Sequence, residues 1–510
     1  MNHDEKDIKC KPINYVVFAT FLLAISSYFT LPLGEGSREY YWHLTLGNWI
    51  RFGGVFPVED IWTEAGKGKA YYASNWLFSF LLSLVHSHFG DRGAICLEIF
   101  SVSFFVSVLA VSLGYMARSY FVGLLLMLPI LAGTLTDLGL APEIFGWALW
   151  VAGFALLQSF ISSEEVGYST LAAIALLSLV FVNTHASYYI ALLCWMLVIL
   201  LVNGVGRKQK VLFVTVTLMA CCLTPYLGKQ VPSTIVAFFS DLWFKMLFQQ
   251  NPSNIFHYPF AVLLVLVILL GMLFHYKPHV LRRGEVFVIL LFICSAFVSR
   301  SYVAYATMTV GLFIATIWGR AEGNGMGNLG LAMNVLSSKV SKLSALGLVW
   351  IFCCVAVVNI ARLWRYPHNA FHVPVAATSF LLDKRNDVDF PLLHNSLDGS
   401  YLIYRFADTK GVPLHLAYFD FRTSGLNRKV AAKEIAYNAV GYGRSDLLEY
   451  SRAKTVLCRA NDQFYKTLIN DRDWKLVFIN GEGIVEGEIV GKDKSDDSIR
   501  AAWAVFKKVT

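Results

Sequence analysis

The sequence predicts an α-helical polytopic membrane protein that carries a C-terminal mixed α/β domain in water. Three observations predict it. Of its 510 residues, 56% are hydrophobic and 15% charged, and the mean hydropathy is +0.54, values usual for a polytopic chain and rare for a soluble one. Apolar runs of spanning length, about 17–25 residues, recur along positions 1–365. From about Tyr366 the chain turns polar, with short alternating runs, so 366–510 reads as a separate water-soluble domain.

The spans fall near 13–33, 93–117, 119–135, 143–161, 167–183, 187–205, 210–228, 258–275, 285–300, 302–319 and 343–362. The stretch 76–90 is apolar but short, and reads as either a span or a half-buried segment. No small-residue cleavage site follows the first apolar run, so it reads as an uncleaved span. Positive charge sets the orientation. Lys6, Lys9 and Lys11, Arg118, Arg207 to Lys210, Lys277 to Arg283, and Arg320 to Lys342 fall on one side, the cytoplasm, if 76–90 does not cross. The reading is then eleven crossings plus one partial segment, or twelve if 76–90 crosses. With eleven, the loop 34–75, Asn183 to His185, Arg300 and the C-terminal domain lie outside a cytoplasmic (inner) membrane. The connector 226–257, with Trp243, Phe244 and Phe248, reads as an amphipathic interfacial piece.

The net charge of +8 belongs to those cytoplasmic connectors. No basic run is interleaved with aromatics in a soluble segment, so nucleic-acid binding is not expected. Seven of the nine cysteines lie in hydrophobic runs, and no CxxC or Cys/His zinc spacing occurs. In the soluble part, strands are expected at Pro391–His394, His415–Phe419, Thr455–Cys458, Trp474–Ile479 and Ile484–Ile489. Helices are expected at Val430–Val440, Asp446–Arg452 and Asp462–Ile469. This alternation favours a small α/β sandwich. No internal repeat, GxGxxG or Walker motif is present.

Chemistry concentrates after the first span. Glu39-Tyr40-Tyr41-Trp42-His43-Leu44, Gly47-Asn48-Trp49-Ile50-Arg51 and Pro57-Val58-Glu59-Asp60 crowd acids, a histidine and aromatics into one loop. Glu39 and His43 are four apart and share a helix face. Tyr40, Trp42, Trp49 and Phe52 suit an interfacial helix. A carboxylate at the bilayer edge is partly desolvated, which makes it a stronger base. Glu39 therefore reads as a general base toward an acceptor hydroxyl, and otherwise as a helix-start carboxylate. His43 would orient Glu39 or touch a phosphate, or is merely hydrogen-bonded. Asp60 would hold an acceptor or a metal, or makes an ordinary turn.

Four further groups stand out. Asn183-Thr184-His185 at a helix boundary either lines a cavity or bonds between helices. Arg300 ends a span outside, where its fork would clamp a phosphate or snorkel. Asp398-Gly399-Ser400-Tyr401-Leu402 reads as a turn, and Asp420 and Arg422 as a strand end with structural pairing favoured.

At these residues the chain resembles a bacterial family of polytopic proteins with a GT-C type glycosyltransferase fold. That family is distantly related to the protein O-mannosyltransferases and the lipid A aminoarabinose transferase. The matching elements are Glu39, Tyr41-Trp42-His43-Leu44, Gly47-Asn48-Trp49-Ile50, Pro57 to Asp60, Asn75-Trp76-Leu77, Asn183 to His185, Thr224-Pro225-Tyr226, Asp398 to Leu402, and Asp420 to Arg422. Glu39 stands where the family pattern has Asp, and Tyr41-Trp42 where it has a Trp pair. The resemblance implies a GT-C-like fold, a polyprenyl-phosphate-linked sugar as donor, an acceptor entering from the outer side, and inversion at the sugar carbon. Glu39 would then be the base, supported by Asp60 and His43. Arg300, Asn183, His185, Trp42, Asp398, Tyr401, Asp420 and Arg422 would contact substrate. A divalent metal stays open.

The expected function is a membrane glycosyltransferase acting on an envelope glycan, lipid or protein, with membrane lipids around it. The rival class is a non-enzymatic transporter or surface-polymer assembly factor. A transporter places ionisable residues near the midplane of its spans; here they gather at the outer edge. The deciding observation is whether Glu39 faces a lipid-accessible cavity; packing against the soluble domain with no opening would weaken the enzyme reading.

Overall fold

The computed structural model describes residues 39–134, 140–162, 167–202, 205–231, 258–276, 281–298, 302–322, 342–365, 373–383, 388–418, 452–460, 463–479, 484–485, 488–489 and 503–509, except 65 and 395, together with 448 and parts of 21–30. Its helices are α1 (Tyr40–Gly53), α2 (Trp76–Ala117), α3 (Tyr120–Thr134), α4 (Pro142–Ser162), α5 (Tyr168–Thr184), α6 (Tyr188–Leu201), α7 (Arg207–Cys222), α8 (Tyr258–Tyr276), α9 (Arg283–Val298), α10 (Val303–Glu322) and α11 (Lys342–Arg365). Beyond these lie α12 (Val375–Leu382), β1 (Leu392–Leu393), α13 (Ser396–Phe406), β2 (Thr455–Arg459), α14 (Gln463–Leu468), β3 (Trp474–Ile479), β4 (Ile484–Val485), β5 (Glu488–Ile489) and β6 (Trp503–Lys508).

Each expected span from 93 to 362 coincides with a helix. Three described helices, within α2, α4 and α10, are long and apolar enough to cross a membrane. The first span, 13–33, lies largely outside the described residues. The short apolar stretch 76–90 is the front of α2, which breaks at Gly90 (φ 61°, ψ −153°). The 14 residues before that break extend only about 21 Å at 1.5 Å per residue, less than a hydrocarbon core. This front part of α2 packs against α1.

The bundle interior is one continuous apolar cluster, from Val102 and Leu109 through Trp150, Phe181 and Trp195 to Phe313. One buried polar triad within the bundle is paired throughout. Arg320 at the end of α10 forms a fork on Glu285 at the start of α9, through Nη1 to Oε2 (2.9 Å) and Nη2 to Oε1 (2.8 Å). Gln158 of α4 closes the triangle, donating to Glu285 Oε1 (2.9 Å) and accepting from Arg320 Nη2 (2.8 Å). A buried carboxylate is tolerable there because every strong partner is supplied.

The C-terminal sheet runs β1-β2-β6-β3, with β1 parallel to β2 and the other pairs antiparallel. Alternate residues serve opposite faces, as a strand requires. Val456, Cys458, Ala504 and Phe506 face a core with Phe464 and Leu468 of α14. Leu457, Trp503 and Val505 face a second core that contains Leu402, Ile403 and Phe406 of α13 and also Trp42, Trp62 and Ala73 of the first loop. The loop and the polar C-terminal segment therefore share one interior.

Several expectations change here. Asp398 to Leu402 is not a turn but the front of α13. Asp398 sits in its first turn, where a carboxylate suits the helix dipole, and the apolar residues after it are buried. Of the expected strand 415–419, the described residues 415–418 show one bridge to the first loop, Thr63 to Ala417. Within the expected strand 484–489, the described residues form two short strands, β4 and β5, that pair antiparallel. The strand β6 was not expected, yet it is central in the sheet. The expected helix 430–440, and all of 446–452 except 448 and 452, lie outside the described residues.

Candidate functional site

The site begins with how α1 is seated. A Cβ on Gly47 would collide with the Ser79 carbonyl of α2, so the bare glycine lets the two backbones touch. On either side of that contact the helices bond. His43 Nδ1 lies 2.8 Å from Ser79 Oγ, and Ser83 Oγ donates to Asn48 Oδ1 (2.7 Å). Phe78 stands edge-on to the His43 ring, 5.2 Å away. His43 is buried, whereas the Glu39 side chain keeps 38% of its surface exposed. Glu39 is thus open at the helix start and not sealed.

Two carboxylate–imidazole–hydroxyl chains meet at the site. In the first, Glu39 Oε2 lies 3.5 Å from His43 Nε2, and His43 Nδ1 reaches Ser79. In the second, Glu143 Oε1 at the start of α4 lies 3.5 Å from His185 Nε2, and His185 Nδ1 lies 2.7 Å from Ser187 Oγ. Gly146, one turn past Glu143, leaves room for the His185 ring, since a Cβ there would come within 2.9 Å of its Nδ1. His43 is within electrostatic reach of Glu143, as is Tyr305 of α10.

The hydrogen bonds give the two rings opposite tautomers. The Ser187 backbone N–H donates to His185 Nδ1 (3.2 Å), so the proton of the neutral ring sits on Nε2, toward Glu143. Ser79 Oγ donates to the Asn75 carbonyl (3.1 Å), so it accepts from His43 Nδ1–H. His43 Nε2 is then the bare nitrogen of the neutral ring and faces Glu39. His43 Nε2 and Glu143 Oε2 are buried without a hydrogen-bond partner, whereas the Tyr305 hydroxyl lies within reach of Ser187 and Trp147.

The remaining expected residues fall elsewhere. Asp60 is fully buried, and its carboxylate is spent on its own loop: Oδ1 accepts from Trp62 N (3.0 Å) and Thr63 N (3.3 Å), and Oδ2 from Thr63 Oγ1 (2.7 Å). That is an Asx-type turn, so Asp60 shapes the loop. Trp42 is buried against Trp62, 4.8 Å away, and is a core ring, not a substrate platform or an interfacial one. Tyr40 is likewise buried, and only Phe52 of the expected interfacial ring set is exposed. Asn183 bonds between helices: it accepts from Trp76 Nε1 (2.7 Å) and donates to the Leu223 carbonyl (3.1 Å). Tyr401 packs edge-on to Tyr41 at 4.9 Å, which docks α13 on α1. Asp398 is buried in the same helix. Arg300, Asp420 and Arg422 lie outside the described residues.

Burial pushes the Tyr40 and Tyr41 hydroxyls well above the ordinary tyrosine range. Tyr40 stays a donor, and its hydroxyl bonds Asp91 Oδ1 at 3.3 Å. Among the described residues, no three His, Cys, Asp or Glu side chains converge on a point fit for a metal ion. Glu143 and Tyr305 were not singled out from the sequence. The one signal for Glu143 was an acid at the start of an otherwise apolar span, which is costly unless used.

No protein-family profile matches the chain, and no curated protein matches it. Solved structures do. The fold is similar to that of the oligosaccharyltransferase of Archaeoglobus fulgidus tethered to an acceptor peptide with the NVT sequon, at TM-score 0.51 and 11% identity, covering 88% of this chain and 69% of that one. Two further structures of oligosaccharyltransferase from Archaeoglobus fulgidus also match. One, with an inhibitory peptide and a dolichol-phosphate, has TM-score 0.49 and 11% identity over 88% and 69% of the chains. The other, with Zn and sulfate, has TM-score 0.48 and 13% identity over 87% and 68%. The chain is thus a mostly helical membrane protein with a GT-C-like fold.

Proposed function

We propose that the protein is a membrane glycosyltransferase that moves a sugar from a polyprenyl-phosphate donor to an envelope glycan, lipid or protein. It would reside in the cytoplasmic membrane, with eleven crossings and 366–510 on the outer face beside the site. The observation that supports this reading most is the open Glu39 carboxylate backed by the bare Nε2 of buried His43. In the proposed step, Glu39 takes the proton of the acceptor hydroxyl as that oxygen bonds to the anomeric carbon. The bond from that carbon to the phosphate oxygen breaks, its electron pair leaves with the polyprenyl phosphate, and the sugar carbon inverts. His43 Nε2 accepts the proton from Glu39 and restores the base. Glu143, held by His185, would bond an acceptor or sugar hydroxyl through its free Oε2. Arg300 would hold the donor phosphate.

No step here uses a metal. A structure of the archaeal enzyme holds a tethered acceptor peptide, which fits transfer to an acceptor. The test is release of polyprenyl phosphate from a polyprenyl-phosphate-sugar by the purified protein in the presence of host envelope extract. Release that needs both protein and extract supports transfer. Donor left intact with every envelope fraction refutes it and favours the transport or assembly role.

A further inference from the structure

An open groove of about 560 Å³ lies between the last membrane helix, α11, and the start of the long part of α2, lined by Arg92, Val357, Ile360, Ala361 and Trp364. The α11 residues recur at the three-and-four spacing of one helix stripe. Val357 is 65% exposed and Trp364 40%. The next stripe turns inward: Leu363 is fully buried with Tyr40, Phe78, Ala94 and Ile95. The groove is therefore floored by packed side chains.

One end of this apolar trough carries a cation. The Arg92 guanidinium carbon lies 5.3 Å from the centroid of the Trp364 ring, a distance at which a cation rests on the ring face. Its neighbour Asp91 accepts from Tyr40 through Oδ1, which also lies 3.2 Å from His86 Nε2. Among the described residues Arg92 has no carboxylate partner. Arg92 follows the Gly90 break and Trp364 ends α11, so both stand where a span meets the headgroups, the depth that Trp and Arg favour.

We infer that this groove binds an anionic diacyl phospholipid of the surrounding membrane. The phosphate sits on Arg92, and an acyl chain lies along Val357, Ile360 and Ala361. The charge match decides for an anionic head, and the open apolar trough decides for a lipid over a soluble anion. The lipid fills the gap beside the helix that leads into the C-terminal segment. The inference stands whether or not the protein transfers sugar.

Native mass spectrometry of the full-length protein in detergent, with equal phosphatidylglycerol and phosphatidylcholine, tests it. Wild type should retain phosphatidylglycerol in preference, and Arg92→Gln should cut that preference about fivefold, the effect of one surface arginine on an anionic lipid. Ala361→Trp, which fills the trough and keeps the charge, should release both lipids. Lipid-free unfolding temperatures within a degree or two of wild type would show that the variants fold; if Arg92→Gln does not, Ala361→Trp alone carries the test. Equal retention of the two lipids by wild type overturns the inference, as does an unchanged pattern in a folded variant. Inorganic phosphate that displaces phosphatidylglycerol, or polyprenyl monophosphate that alone depends on Arg92, also overturns it.

Discussion

His43 Nε2 lies 3.5 Å from Glu39 Oε2 while its Nδ1 lies 2.8 Å from Ser79 Oγ. One ring thus joins an open carboxylate on α1 to the body of α2. A buried imidazole with one nitrogen fixed has its other nitrogen aimed, and here the aim is at the part-exposed Glu39 carboxylate. His43→Gln should keep the Ser79 bond but lose the proton acceptor. It should lower turnover about 10²-fold or more, the usual worth of one general acid–base group, with little change in unfolding temperature. Turnover and differential scanning fluorimetry together check this.

The seat of α1 depends on Gly47. Gly47→Ala places a methyl against the Ser79 carbonyl, so α1 must shift. Overpacking of this kind costs about 1–3 kcal/mol, and the shift also separates His43 from Ser79. The expected outcome is a lower unfolding temperature together with reduced turnover. A variant that is fully stable and active would show that the helices do not need to touch.

Tyr226 ties the outer loop to the helix end after α7. Its hydroxyl donates to the Pro57 carbonyl and accepts from Ala73 N, each at 3.0 Å. Burial pushes this hydroxyl up to about 12, so the folded state favours the protonated form. Its contribution is complete below the ordinary tyrosine value of about 10 and is lost as pH rises from there through about 12. Tyr226→Phe should cost about 1–3 kcal/mol at neutral pH, because two buried backbone groups lose their partner. It should also remove this residue's share of the alkaline destabilisation. Unfolding midpoints at several pH values would read both effects.

At the other end of the bundle, Arg320→Ala would leave Glu285 buried and uncompensated. The expected loss is about 3–5 kcal/mol. The double variant Arg320→Met with Glu285→Gln should recover much of it, since no charge is stranded. If the single and double variants unfold alike, the pair is not the fastening that its geometry describes.

The helices from 93 to 362 were legible because a spanning segment needs an uninterrupted apolar run, which composition alone reveals. Glu39 and His43 were legible because an i, i+4 pair meets wherever the segment is helical. Glu143 was not. An acid after Pro142 looks like any first-turn carboxylate, and only the packing of α4 against the chain after α5 brings His185 to it. Asp398-Gly399 carries turn chemistry, yet the buried stripe Leu402, Ile403 and Phe406 wins and makes a helix. Asp60 and Trp42 were read as site residues because polar and aromatic groups in an outer loop suggest binding. The loop instead folds on itself and onto the C-terminal sheet, which consumes both.

Glu39 would be the base of the proposed transfer reaction. Glu39→Gln keeps the shape and removes the charge. The most direct test is complementation of a deletion strain with wild type or Glu39→Gln at matched expression, read by mass spectrometry of envelope glycans, lipids and exported proteins. The account predicts that one class loses a sugar in the Glu39→Gln strain while the protein remains folded in the membrane. A glycan, lipid and protein profile identical to wild type would contradict it.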